Sequence, residues 1–261
     1  MEVPETSRLC GIAGGPAYNG AVHPWIALFD VDGTLIDAAG AGRRAVGSAI
    51  SQVFGASAAR ISELRVPFAG RTDGQIFREM ATGVGVEDSA FDREIERLHA
   101  AYAVELAREL ERPHPGRRVL PGAREVLAAL DGECGVPLGL LTGNLELGAR
   151  IKLRHFSLER YFPTGGFGSD STDRREIART ARRRVERWAG IEVPPERVVV
   201  VGDTENDVDC ALANGFRAVA VASGGTPRER LAACGADVVL DGLGDLEATL
   251  AALVPGGALR T

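Results

Sequence analysis

The sequence predicts an α/β protein in which a doubly wound parallel sheet carries an inserted all-helical segment. Short apolar runs end in polar turns, as expected of strands that are buried on both faces of a parallel sheet. Helical patterns alternate with these runs through short connections, which is typical of a doubly wound sheet. One interval after the first strand, residues 37–117, contains helical patterns only.

The first apolar run, residues 25–29, is followed at once by a polar turn at 30–34. Later runs repeat this character, and helical patterns separate them. We predict strands at 25–29, 136–141, 198–201, 218–221 and 238–240, and helices at 122–130, 145–155, 174–188, 206–213, 228–234 and 243–253. Residues 25–36 and 118–261 are therefore expected to form one core domain.

The inserted segment, residues 37–117, is predicted to be a separate helical domain with helices at 40–54, 73–81 and 89–112. In the last of these, Phe91, Leu98 and Leu106 belong to an apolar stripe at three- and four-residue steps. Residues 1–24 are rich in Gly, Pro, Ala and Ser without periodicity, and we expect a flexible N-terminal arm there.

The composition excludes several classes of protein. With 45% apolar and 25% charged residues, the 261-residue chain is typical of globular proteins, and too apolar to be mostly disordered. No apolar stretch is long enough for a membrane span. A net charge of −6 argues against a general nucleic-acid-binding surface. The four cysteines form no C-x-x-C pair and do not cluster with the histidines, so a zinc site is not expected.

The start of the chain lacks the basic and apolar pattern of a secretory signal. We therefore expect a protein of the reducing cytoplasm, a monomer or a homodimer, with neither membrane nor nucleic acid as a partner.

Polar residues follow three of the predicted strands, at the point where each strand ends. Asp30 and Asp32 follow the first strand, Thr142 follows the second, and Asp203 and Asp207 follow the third. Ligands of an open parallel sheet bind beyond the carboxyl ends of its strands. Clustered carboxylates repel each other and need a cation, and oxygen ligands with room for water and phosphate favour Mg²⁺.

A bound metal would allow Asp30 to attack an anionic phosphate as a nucleophile, which forms an aspartyl phosphate. Asp32 lies two residues further on, where it can protonate the leaving oxygen and then activate water. Gly33 allows the sharp turn between the strand end and the next segment.

Three short segments resemble motifs of the haloacid dehalogenase superfamily, and specifically of its phosphatases. They are DVDGTL at 30–35, TGN at 142–144 and GDTEND at 202–207, each after a predicted buried strand. The resemblance covers about residues 25–250, and the helical insert matches the cap domain that the family places after its first motif. It implies a Rossmann-like core, a helical cap and a Mg²⁺-dependent phosphatase.

The resemblance also implies roles for the residues of the second and fourth motifs. The hydroxyl of Thr142 is expected to bind the transferring phosphoryl group, and Gly143 and Asn144 are expected to bind the substrate. Asp203 is expected to hold the metal with Asp30 and Asp32. Asp207 is expected to support the metal site or to hold the cation of the third motif.

The third motif departs from the common pattern, which supplies a lysine. The segment 168–176, GSDSTDRRE, resembles the version in which arginine replaces that lysine, and by this alignment Arg174 is the catalytic cation. Arg175 is the alternative, since two consecutive residues of one helix cannot both face the site. Lys152 is the only lysine of the chain, and we expect it to be an exposed or salt-bridged surface residue.

A cap segment, residues 66–73, resembles the specificity loop of phosphoglycolate-phosphatase-like members, which contains a similar G-R-T-D. Arg71 is expected to contact a carboxylate or phosphate of the substrate. Thr72 and Asp73 can each be interpreted as a helix N-cap.

The sequence thus favours a Mg²⁺-dependent phosphatase that acts on a small phosphorylated metabolite and resembles phosphoglycolate phosphatase. Two alternatives stay open: a phosphosugar mutase of the β-phosphoglucomutase type, and a non-catalytic regulatory protein on the same fold. Asp32 argues against a dehalogenase, which needs no acid at that position.

Overall fold

The structure is a computed structural model that describes residues 25–132 and 134–256. The predicted N-terminal arm, residues 1–24, lies outside the described residues. None of the helices in the described ranges combines the length and the hydrophobicity that a membrane crossing needs.

The strands of the described chain form two sheets. They are β1 (Ile26–Phe29), β2 (Ile36–Asp37), β3 (Arg118–Val119), β4 (Leu138–Leu141), β5 (Gly165–Gly166), β6 (Val198–Gly202), β7 (Arg217–Val221) and β8 (Val238–Leu240). The main sheet has the order β5-β4-β1-β6-β7-β8, and all of its pairs are parallel. The strands β2 and β3 pair with each other in antiparallel fashion.

Helices connect these strands. They are α1 (Ala41–Phe54), α2 (Ala58–Glu63), α3 (Asp73–Gly83), α4 (Asp88–Glu111), α5 (Ala123–Asp131), α6 (Glu146–His155), α7 (Arg174–Ala189), α8 (Glu205–Ala213), α9 (Arg228–Ala233) and α10 (Leu246–Leu253). The short 3₁₀ turns Glu159–Tyr161 and Pro195–Arg197 complete the connections. The prediction of a parallel α/β sheet with an inserted helical segment is confirmed.

The sequence missed the short elements. The edge strand β5 consists of two glycines, which carry no apolar side chain that could indicate a strand. The helix α2 has only six residues, none of them buried, so it leaves no amphipathic pattern. The two-residue ladder of β2 and β3 lies where the chain enters and leaves the helical insert, close to the predicted domain boundaries.

Strand β1 lies at the centre of the sheet and brings three strand ends together. Phe29, its last residue, pairs with Leu140 of β4 and with Val201 of β6. Ala27 and Phe29 face one apolar core, and Ile26 and Leu28 face the other. Because the strand is buried on both faces, every position is apolar, and chemistry can begin only at the next residue, Asp30.

Candidate active site

The turn after β1 places Asp30 against the end of β6. The backbone N–H of Asp30 donates to the carbonyl of Val201 at 2.9 Å. Gly33 has a φ of +85°, and a Cβ there would lie 2.4 Å from Oδ2 of Asp203. A larger residue at this position would therefore be strained and would collide with Asp203. The glycine of the DVDGTL segment lets the first and third polar segments meet.

Arg174, the first residue of α7, lies under this turn. Its Nη2 is 3.1 Å from Oδ1 of Asp30 and 2.5 Å from Oδ1 of Asp207. The residue is only 9% exposed, whereas the Arg175 side chain is 51% exposed and forms an ion pair with Asp209. Of the two adjacent arginines, the structure thus brings Arg174 to the site and directs Arg175 away from it.

One donor of Arg174 has no partner in the described part of the chain. Its Nε is buried and makes no hydrogen bond. Leaving a buried charged donor unsatisfied is costly unless a ligand takes its hydrogen bond. Burial opposes the charge of Arg174, but Asp207 and Asp30 outweigh this effect and raise its pKa, so the guanidinium stays charged.

Asp30, Asp203 and Asp207 form a buried cluster whose carboxylate oxygens lie within 4.8 Å of one another. Burial raises the pKa of Asp30 to about 6, although the charge of Arg174 opposes the rise. Burial, together with the charges of Asp30 and Asp207, raises the pKa of Asp203 to about 8. One guanidinium does not balance three carboxylates, so the cluster has the charge and the oxygen ligands that suit a divalent cation.

Asp207 is engaged on both of its oxygens. Oδ1 accepts from Arg174, and Oδ2 accepts from the backbone N–H and the hydroxyl of Thr204 at 3.0 and 2.6 Å. The second set of bonds caps the N-terminus of α8. Asp207 therefore holds the Arg174 guanidinium and fixes the start of a helix at the same time.

Asp32 is not part of the acidic cluster. Its Oδ2 accepts from Nζ of Lys152 at 2.5 Å and from Nδ2 of Asn144 at 3.0 Å. The expectation that Lys152 lies on the surface is wrong, because its side chain is buried and its ion pair is with Asp32. The cause is the packing of α6, which turns this side chain toward the site instead of toward solvent.

Thr142 and Asn144 form one polar unit at the end of β4. The hydroxyl of Thr142 accepts from Nδ2 of Asn144 at 2.7 Å and from its backbone N–H at 3.3 Å. Because the hydroxyl oxygen accepts these bonds, its own hydrogen is available for an acceptor in the cavity. Asn144 thereby orients Thr142 and Asp32.

A cavity of about 450 Å³ lies between the core and the helical segment, a size that suits a small metabolite. Its core side is lined by residues described above: Asp30, Asp32, Thr142, Asn144, Lys152, Arg174 and Asp203. The helical segment contributes Arg43, Phe68, Arg71, Ile76, Phe77 and Tyr102 to the lining.

The loop before α3 is docked on the core. The backbone N–H of Asp73 donates to the carbonyl of Gly143, and Oδ2 of Asp73 accepts from the backbone N–H of Leu145, both at 2.8 Å. Asn206 donates to the carbonyl of Gly70 at 2.6 Å. Gly143, predicted to bind substrate, contacts this loop, and a Cβ there would lie 2.2 Å from the carbonyl oxygen of Arg71.

Arg71 lines the cavity, but its charge is already paired. Its Nη1 lies 2.6 Å from Oε2 of Glu79 and 3.3 Å from the carbonyl of Pro67. Thr72 is the N-cap of α3, and Gln75 completes its capping box. The contact of Arg71 with a substrate anion stays a prediction.

Sequence reasoning missed three groups of the site. One feature of the sequence could have indicated a special role for Lys152, because it is the only lysine of the chain. Asp73 was considered only as a helix cap, but it is buried, and burial raises its pKa to about 6. Gly224 carried no signal, although a Cβ there would lie 1.7 Å from Oδ2 of Asp203.

Comparison with known proteins identifies the family to which the chain is similar. The model of the haloacid dehalogenase-like hydrolase family matches residues 27–212. The chain is 30% identical to phosphoglycolate phosphatase 1 of Pseudomonas aeruginosa over 223 residues, which are 85% of this chain and 78% of that protein. It is 29% identical to the tyrosine-protein kinase PtkA of Mycobacterium tuberculosis over 204 residues, 77% of this chain but only 63% of the kinase.

The fold is shared with solved structures. A hydrolase from Pseudomonas syringae matches with a TM-score of 0.61 at 24% identity, covering 86% of this chain and 97% of that one. At this identity the likeness shows the fold alone.

Proposed function

The chain belongs to the haloacid dehalogenase-like hydrolases and is a phosphoric monoester hydrolase, and we propose that it cleaves a small phosphorylated metabolite through an aspartyl phosphate on Asp30. The observation that carries the proposal is the meeting of Asp30, the unpaired donor of Arg174 and an acidic cluster at one cavity. These groups are a nucleophile, an anion-binding cation and a metal site.

The reaction divides into two transfers. A carboxylate oxygen of Asp30 attacks phosphorus, and the bond from phosphorus to the leaving oxygen breaks. Asp32, which enters this step protonated, donates its proton to that oxygen. Water then attacks the phosphorus of the aspartyl phosphate while Asp32 takes a proton from it, which releases inorganic phosphate and restores Asp30. Arg174 and the hydroxyl of Thr142 bind the phosphoryl oxygens as charge develops on them.

The acidic cluster fits Mg²⁺. Asp30 and Asp203 would hold the metal, and Asp207, whose two oxygens are engaged by Arg174 and Thr204, would support the site beside them. The negative charge of these three carboxylates calls for a divalent cation. The predicted contribution of Asp32 to this site stays a prediction, since its carboxylate lies outside the cluster. Bound Mg²⁺ would neutralise charge between the nucleophile and the phosphate.

The substrate we favour carries a second anionic group, as phosphoglycolate does. Arg71 is one candidate to bind it, and this requires that Arg71 exchange Glu79 for the substrate. Arg43 is another, because none of the described acidic side chains lies within salt-bridge distance of it. Its guanidinium lies 4.0 Å from the centre of the Phe68 ring and donates to the carbonyl of Val66.

Hydrolysis of p-nitrophenyl phosphate with and without Mg²⁺ tests the activity, and a panel of phosphorylated metabolites then identifies the substrate. We expect Mg²⁺-dependent release of phosphate and trapping of a phosphoenzyme that is absent in Asp30→Asn, which removes the nucleophile but is nearly isosteric. An Asp30→Asn variant that keeps more than about a tenth of the wild-type rate would contradict the covalent mechanism. Transfer of the phosphoryl group to a sugar phosphate instead of water would favour the mutase alternative.

A further inference from the structure

Lys152 lies in the second turn of α6 and is buried beside the site. It is 5% exposed, and its Nζ lies 2.5 Å from Oδ2 of Asp32 and 2.6 Å from Oδ1 of Asn144. Burying an ammonium group costs several kcal/mol, and an apolar residue of similar volume often serves stability as well or better. The position of Lys152 is therefore unlike that of a surface ion pair.

The anchoring of Asp32 is one-sided. Both donors, Lys152 and Asn144, bind Oδ2, and within residues 25–132 and 134–256 no hydrogen bond reaches Oδ1. The carboxylate thus has one oxygen fixed and one oxygen free at the cavity, where its side chain is 41% exposed. A group that must pass a proton to a leaving oxygen needs this arrangement, because its reactive oxygen is oriented without being occupied.

The two buried cations of the site serve different carboxylates. Arg174 contacts Asp30 and Asp207 at the phosphoryl end, whereas Lys152 contacts Asp32. This separation makes their effects distinguishable. Loss of the cation at the phosphoryl end is expected to slow the hydrolysis of every phosphate ester alike. Loss of the cation at Asp32 is expected to slow the hydrolysis only of esters whose leaving group needs a proton.

The helical segment adds another charge at Lys152. Burial opposes the charge of this lysine, but Asp32 and Asp73 outweigh burial and raise its pKa. Asp73 is itself buried, in the loop that docks on the core. Removing Lys152 therefore leaves Asp73 without its compensating cation, which can destabilise the protein independently of any effect on Asp32.

From this geometry we propose that Lys152 is a positioning residue that holds Asp32 ready to protonate the leaving group of the phosphate ester. The inference rests on the proposed phosphatase function. It adds a residue to the protonation step, and it separates the cation of that step from the cation that binds the phosphoryl group.

The test compares kcat/KM for p-nitrophenyl phosphate and phenyl phosphate, because only the more basic phenolate needs protonation as it leaves. In Lys152→Met we expect a loss of about a hundredfold or more for phenyl phosphate and less than about tenfold for p-nitrophenyl phosphate. Lys152→Arg is expected to recover part of the loss, since it restores the charge with altered geometry. Arg154→Ala removes an exposed cation of the same helix and is expected to match the wild type on both esters.

The double variant Lys152→Met/Asp73→Asn separates positioning from folding, since it removes the buried cation and a buried carboxylate together. We expect it to melt close to the wild type and to keep the same selective loss for phenyl phosphate. Equal losses on both esters, or no loss, in this variant would overturn the inference while leaving the phosphatase function intact. A wild-type protein that hydrolyses neither ester would refute the proposed function, and the inference with it.

Discussion

Replacing Arg174 with alanine removes the buried cation that faces Asp30 and Asp207. The guanidinium makes a 2.5 Å contact with Asp207 and keeps a buried Nε free for an anion. An arginine that stabilises a transferring phosphoryl group contributes about 10³–10⁵ to the rate, so we expect kcat/KM for p-nitrophenyl phosphate to fall by about that factor. Arg174→Lys should recover part of the rate, because the charge returns without the fork geometry.

Stability and activity must be measured together for this variant. Breaking a buried ion pair from one side typically costs about 3–5 kcal/mol, so the melting temperature of Arg174→Ala should fall as well. Rates are therefore compared well below the melting temperature, with circular dichroism to confirm the fold.

The matched control is the next residue of the same helix. The ion pair of Arg175 with Asp209 is exposed, and such pairs contribute about 0–1 kcal/mol. Arg175→Ala should therefore keep wild-type kcat/KM and nearly wild-type stability. A large loss of activity in Arg175→Ala together with a wild-type rate in Arg174→Ala would show that the site was assigned to the wrong arginine. Wild-type rates in both variants would show that neither arginine takes part in catalysis.

Three further predictions address the metal, the docked loop and the specificity residue. Asp203→Ala should raise the Mg²⁺ concentration for half-maximal activity by at least about tenfold, and an unchanged titration would remove Asp203 from the metal site. Burial raises the pKa of Asp73 from 3.8 to about 6, so its ionisation in the fold costs stability as the pH rises through this range. Asp73→Asn keeps an acceptor for the N–H of Leu145. Well above pH 6, its free energy of unfolding in urea should exceed that of the wild type by on the order of 3 kcal/mol. Below pH 3.8 its free energy of unfolding should not exceed that of the wild type, and a difference that does not depend on pH would contradict the burial argument. Arg71→Ala should raise KM for the natural substrate and hardly affect p-nitrophenyl phosphate; equal losses on both would mean that Arg71 supports the loop through Glu79 instead.

The positions of the main strands along the chain and the polar residues at their ends were predictable from the sequence. A strand buried on both faces must be apolar throughout, so its end is marked where the first polar residue appears, as at Asp30, Thr142 and Asp203. Parallel strands carry these ends to one edge of the sheet. The choice of Arg174 over Arg175 came from the resemblance of its motif and agrees with where the structure places the two side chains.

The groups that the sequence could not assign are those whose role depends on contacts between distant segments. Lys152 reads as one more charged residue of an amphipathic helix, and only the packing of α6 against the turn after β1 joins it to Asp32, 120 residues earlier. Arg71 reads as a free cation, and only the fold of α3 pairs it with Glu79. The sequence by itself predicted the parallel sheet and the three polar segments at its strand ends, because burial and strand ends are local patterns. The tertiary structure decided which charges pair, because an ion pair depends on which helix faces meet in space. Hydrophobic periodicity shows which face of a helix is buried, but not which residues pack against that face.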